Sequence, residues 1–400
     1  MTPLKRLFSA GYRVFFLLAG LFAIVSMIVW EGWLAIHAGG GMVSDMPFAM
    51  APHLWHAHEL IFGYGSVAIA GFLMTAAPNW TKSKGAGGLF YFAMSALWLA
   101  GRMGLWWSGS LSPVLVAALD LAFLPLVAGR ILAMLLARPK PQQMILLALI
   151  SLIWVSNLMV HLEWIGLTDD TVWSGLRGGL LALAALIVIL GGRVTPAFTR
   201  NAMRRTGRET GLPRDKRALA IAAIGTAIGA TLAMLAGLPD DITGLLALVA
   251  GAAALGRLLL WQGLWTWRQP ILWTLHLSYA TVALGLMALG SAMLGIGSEV
   301  AALHILGIGG VGGMTVSVMS RAAIGHSGRE LVAPGGLVIA YALVPLATLA
   351  RFAGSAFPAF YYPGVLLAGG LWIALFTFYV ATLWPVFWGV KEPAGNGATA

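Results

Sequence analysis

The 400-residue chain is 60% hydrophobic and only 10% charged, with a formal net charge of +10 and no cysteine. A soluble domain carries about 25% charged residues, and no water-soluble fold hides this much apolar surface. Composition therefore implies a polytopic membrane protein, and the missing thiols exclude disulfides, thiolate metal sites and iron–sulfur clusters.

A membrane-crossing helix needs about 20 mostly apolar residues. Twelve such runs follow in order, near 14–34, 54–77, 88–107, 112–136, 143–162, 172–191, 217–236, 242–263, 271–292, 299–320, 333–353 and 362–388. Counts of eleven or thirteen are alternatives, because the last run is long and contains Pro385. No cleavable leader is expected, since the first run lacks a small-residue cleavage site. The chain reads as all-α, a single integral membrane domain over 1–400. Helices 1–6 occupy 14–191, a basic loop covers 192–216, and helices 7–12 occupy 217–388.

Basic residues in short loops set orientation. Lys5, Arg6 and Arg13 precede helix 1; Lys82 and Lys84 follow helix 2; Arg138 and Lys140 follow helix 4. Residues 193–217 hold a cluster of arginines, and Arg268, Arg321, Arg329 and Lys391 continue the alternation. The opposite loops carry Glu31, Asp45, Glu163, Asp169, Asp170, Asp240, Asp241 and Glu299. Both termini are thus expected in the cytoplasm, and the positive charge is a topology signal that also suits anionic lipid, not nucleic acid. Helices 2, 6 and 10 end in "GFLMTAAPNWT", "LGGRVTPAFTR" and "GGMTVSVMSRA". Either a pseudo-threefold repeat or chance accounts for that spacing.

With this topology His56 and His58 open helix 2 near the outer face, His161 closes helix 5 there and His304 opens helix 10 there, with His37 and His53 close by. His276 and His326 lie toward the cytoplasm. Imidazole is the commonest metal ligand, although a single interfacial histidine is usually a wet polar tip. Residues two apart point about 200° away from each other on a helix, so His56 and His58 cannot share one ion. The pattern suits two sites, one deeper through His58 and one shallower through His53 and His56. Met42, Met46 and Met50 precede them, and thioether with imidazole suits copper; packing against lipid is the plainer role for those methionines. Arg102, Arg177 and Arg351 sit toward the outer ends of helices 3, 6 and 11. They can pair with buried acids, Asp120 with Arg102 first, or hold an anion such as haem propionates. Asn157, one turn before His161, is placed to orient that ring.

Several blocks together resemble the NnrS family of bacterial membrane proteins: "WHAHELIFGYGSVAIAGFLMTAAPNWT" (55–81), "NLMVHL" (157–162), "GGRVTPAFTRNA" (191–202), "LHLSYA" (275–280) and "LHILGIGGVGGMTVSVMSRAAIGHSGR" (303–329). The resemblance implies a multispanning protein of the bacterial inner membrane that contains haem (haem b) and copper and acts in the response to nitric oxide and nitrosative stress, often beside denitrification. A weaker likeness is to haem-copper oxidases, where helices 2 and 10 clamp a haem. The departure is that helices 6 and 7 here carry no histidine.

The leading functional expectation is a haem protein binding or processing nitric oxide species near the outer leaflet, with an electron donor as partner if it is an oxidoreductase. His58 and His304 are the expected axial pair, with His56, His161 and His276 next, and Arg102 and Arg177 as anion holders. Copper is expected at His53, His56, His58 and Met50. The alternative is a twelve-helix transporter of copper, haem or a small anion.

Overall fold

The computed structural model describes residues 1–138 and 141–392. Among the described residues there is no strand, and the chain is an all-helical polytopic membrane protein. After a short helix at Pro3–Leu7 come α1 (Gly11–Ala38), α2 (Pro52–Thr81), α3 (Gly88–Trp106), α4 (Pro113–Ala137), α5 (Pro141–Ile165) and α6 (Thr171–Arg205). They are followed by α7 (Arg217–Leu235), α8 (Asp240–Leu258), α9 (Pro270–Met293), α10 (Glu299–His326), α11 (Gly335–Ala356) and α12 (Pro358–Trp388). Eleven of these are long and apolar enough to cross a membrane. The remaining expected span is α3, a helix of 19 residues whose apolar run is interrupted by Arg102.

The chain divides into two compact units. The first comprises Met1–Gly179, Met319–Leu331 and the chain from Phe376 onward; the second comprises Leu180–Val318 and Val332–Leu375.

Three local features depart from a regular reading of the sequence. First, the basic stretch expected as a loop from 192 is helical as far as Arg205. Gly192, Thr195, Thr199, Ala202 and Met203 are buried while Arg193, Arg204 and Arg205 are exposed, which is a one-sided helical stripe. Hydroxyl and glycine on the buried face made the segment look polar. Second, α2 and α10 each contain a π-helical turn, Glu59–Tyr64 and Ile305–Gly312, and a histidine stands immediately before each. Third, α4 is interrupted at Ala122 between Pro113–Leu121 and Phe123–Ala137. Pro125 has no N–H and its ring crowds the carbonyl four residues back, at Leu121. That carbonyl instead accepts from Trp154 Nε1 at 2.9 Å.

Close packing in the second unit relies on missing side chains. A Cβ at Gly251 of α8 would lie 2.4 Å from the Ala283 carbonyl of α9, and one at Gly290 of α9 would lie 2.4 Å from the Gly244 carbonyl of α8. Small residues let helix backbones touch in lipid, where no hydrophobic drive holds helices together. Gly251→Ala and Gly290→Ala are each expected to lower stability by about 1–3 kcal/mol. Gly225→Ala, where a Cβ meets nothing within 4 Å, is the control expected to be neutral or slightly stabilising. Thermal unfolding midpoints in detergent measure all three.

Candidate functional site

Buried ionisable groups in a membrane protein have partners or tasks, and the first unit collects five of them, together with Asn157, in one place. The π-turn of α2 starts at Glu59, directly after His58, and both side chains are buried. A π-turn loosens the regular backbone ladder and is frequent at functional positions. The Gly63 carbonyl in this turn accepts from Trp98 Nε1 at 3.0 Å and from Ser66 Oγ at 3.2 Å. Gly63 also leaves room for a guanidinium: a Cβ there would lie 2.7 Å from an Arg102 Nη1. From α3, Arg102 donates Nη1 to Glu59 Oε1 and Nη2 to Asp120 Oδ1. Asp120 comes from α4, just before the helix break. Gly101 allows that approach, since its Cβ would sit 3.1 Å from the Asp120 Cα.

Helix α5 closes the network. Asn157 Nδ2 donates to Asp120 Oδ2 at 2.8 Å, which orients the amide so that its oxygen faces His58 Nε2, also at 2.8 Å. One turn later His161 Nε2 donates to the same Asp120 Oδ2 at 2.8 Å. His58 Nδ1 lies 3.1 Å from Glu59 Oε1, and His58 Nε2 lies 3.4 Å from Asp120 Oδ2. The two imidazoles are edge-on to each other with centroids 5.5 Å apart, and Trp164 stands 5.2 and 5.3 Å from them. Ligand atoms of His58, Asp120 and His161 lie within 4.8 Å of one another, the group of three among the described residues with spacing for a metal ion. A cavity of about 10 Å³ beside the network is lined by Phe62, Trp98, Arg102, Asp120, Trp154 and Asn157. It is at the lower limit for one water molecule.

The other expected site residues are placed as follows. His56 is not with His58: its ring stacks on Trp30 at 4.5 Å, and Trp30 stacks on Trp33 at 5.3 Å. His53 stacks on Trp173 at 5.9 Å. The Met50 sulfur accepts from Ser108 Oγ at 3.9 Å. These three are thus held by separate partners. Arg177 is half-buried on α6. In the second unit, His276 Nε2 lies 2.8 Å from Thr199 Oγ1, and His304 Nδ1 donates to the Val300 carbonyl at 2.7 Å. Asn157 orients His58 and Asp120; its expected partner, His161, is held by Asp120 instead.

The family model described as NnrS protein matches residues 6–391. The chain belongs to the NnrS family. No curated protein matches it. Within this NnrS chain, "WHAHE" and "NLMVH" carry His58, Glu59, Asn157 and His161. The charged partners Arg102 and Asp120 stand outside the blocks that carry the resemblance, and sequence alone offered only their rarity as ions in apolar runs.

Breaking one side of a buried ion pair strands the other charge. Asp120→Asn is therefore expected to cost about 3–5 kcal/mol. The double variant Asp120→Asn/Arg102→Met should lose less than the sum of the two single variants, a coupling read from a double-mutant cycle of unfolding midpoints.

Proposed function

We propose that this chain is a metal-binding membrane protein of the nitric oxide response in the bacterial inner membrane. Its first unit holds copper through His58 Nε2, His161 Nε2 and Asp120 Oδ2. The observation that carries this reading is the buried approach of one ligand atom from each of these three residues, all within 4.8 Å. Imidazole and carboxylate donors suit a borderline metal such as copper. Glu59 Oε1 faces His58 Nδ1, so that nitrogen can donate to the carboxylate while Nε2 is turned inward. A carboxylate behind a ligating histidine fixes ring orientation and raises ligand basicity. Asn157 steadies Asp120 from the side opposite Arg102. Trp164 and Phe62 wall the histidines and keep bulk water away. Bound copper supplies one-electron chemistry and a coordination position for a small molecule such as nitric oxide.

A porphyrin does not fit the cavity at this network, which is about 10 Å³ against the several hundred Å³ of a cofactor pocket. For haem, the suitable residue lies in the second unit. The Nδ1 proton of His304 is given to a backbone carbonyl, so its Nε2 carries the lone pair, the usual preparation of a metal-ligating ring. Haem held there would supply an iron able to bind nitric oxide. An oxidoreductase role with an external electron donor is built on the same residues. A transport reading is favoured by one feature, the break of α4 at Ala122 beside a charged network, since interrupted spans line substrate paths.

Metal content and absorption spectra of detergent-purified protein test these assignments. His58→Ala and His161→Ala are expected to lose copper while His53→Ala keeps it, and His304→Ala is expected to lose a haem band that His276→Ala retains. A colourless protein that drives uptake of copper into proteoliposomes would replace this reading with transport.

A further inference from the structure

With both histidines neutral, as metal ligation requires, the charge count of the buried network is unbalanced. Glu59 and Asp120 are both ion-paired with Arg102, so two carboxylates share one guanidinium. Asn157 is neutral, and His58 and His161 are neutral imidazoles whenever they ligate a metal. The network is then one positive charge short of neutrality. All of these side chains are buried, with Arg102 the most accessible at 8%. Net charge away from water is penalised steeply, because the Born penalty grows with the square of the charge. A monovalent cation brings this group to zero, whereas a divalent one leaves it at +1.

We propose that Arg102 sets the valence of the bound ion, making the site selective for a monovalent cation of the Cu(I) class over Cu(II) or Zn(II). This inference rests on the metal reading of the first unit given above. Donor chemistry alone points the other way, since nitrogen and oxygen ligands ordinarily bind Cu(II) and Zn(II) strongly. Selection therefore comes from charge. Arg102 need not touch the ion. Its two Nη atoms are committed to Glu59 Oε1 and Asp120 Oδ1, which leaves Asp120 Oδ2 facing His58 and His161. Its guanidinium carbon stands 5.9 Å from the Phe22 ring centre and 6.0 Å from that of Trp98. Those aromatic faces, together with the space left by Gly63, hold the cation where it offsets one carboxylate and no more.

Ag(I) and Zn(II) share the filled d shell of Cu(I) and are redox-inert, so comparing them tests charge in a single full-length protein. Competition titrations in detergent should give Cu(I) and Ag(I) binding at least about tenfold tighter than Zn(II) in the unmodified protein. Arg102→Gln raises the deficit to two charges and should shift the Ag(I)-to-Zn(II) affinity ratio by at least about tenfold toward Zn(II). Glu59→Gln removes the deficit and should shift the ratio the opposite way. The double variant Arg102→Gln/Glu59→Gln restores a deficit of one and should restore the monovalent preference. Equal binding of Ag(I) and Zn(II) by the unmodified protein would overturn the valence assignment while leaving the metal site standing. A ratio that stays fixed in whichever of the single variants folds would overturn it in the same way. Binding of none of the three ions would instead remove the metal reading itself.

Discussion

A guanidinium between two carboxylates inside a membrane protein is the constraint around which the first unit is arranged. Arg102 cannot be left alone at that depth, and neither can Glu59 or Asp120, because each unpaired ion is expensive away from water. Several local features follow from bringing them together. The π-turn of α2 aims Glu59 inward, glycines at 63 and 101 clear space for the guanidinium and for α4, and α4 is interrupted just beyond Asp120. Trp98 and Trp154 then take up backbone carbonyls at Gly63 and Leu121, the kind of orphan acceptors that lipid cannot satisfy. The ion cluster and the backbone irregularities are one construction.

The second unit solves the same problem with a different arginine. Arg257 is fully buried and donates to Asp215, to the carbonyls of Val188 and Gly192, and to the Tyr279 hydroxyl. It therefore ties α6, α8, α9 and the segment before α7 together. Here one carboxylate meets one guanidinium, with two carbonyls and a tyrosine hydroxyl as the further acceptors, and no charge is left over. That balance marks a structural clamp, in contrast to the uneven count around Arg102.

Much of the fold was legible because apolar length is a strong signal in membrane proteins. All twelve expected runs correspond to helices, and the Asp120–Arg102 pairing was foreseeable from the scarcity of ions in those runs. What stayed hidden was local. No hydropathy pattern distinguishes a π-turn from an α-turn, so the inward aim of Glu59 and the separation of His56 from His58 were not readable in full. Angular spacing did show that those two histidines diverge. The likeness to known blocks drew attention to histidines as axial ligands, yet the carboxylate that joins two of them comes from a stretch outside those blocks. Thr195 and Thr199 hid the extension of α6, since hydroxyls on a buried face mimic a loop in composition.

That extension has a mechanical consequence. At 1.5 Å per residue, 35 residues reach about 52 Å, well beyond a hydrocarbon layer of about 30 Å. The exposed guanidinium groups at 193, 204 and 205 resist being dragged into oil, so they act as a float that fixes how deep the rod can sit. Thr199 rides on that same stretch and holds the ring of His276. The buried imidazole is thereby fixed to the stretch of α6 that carries those charges.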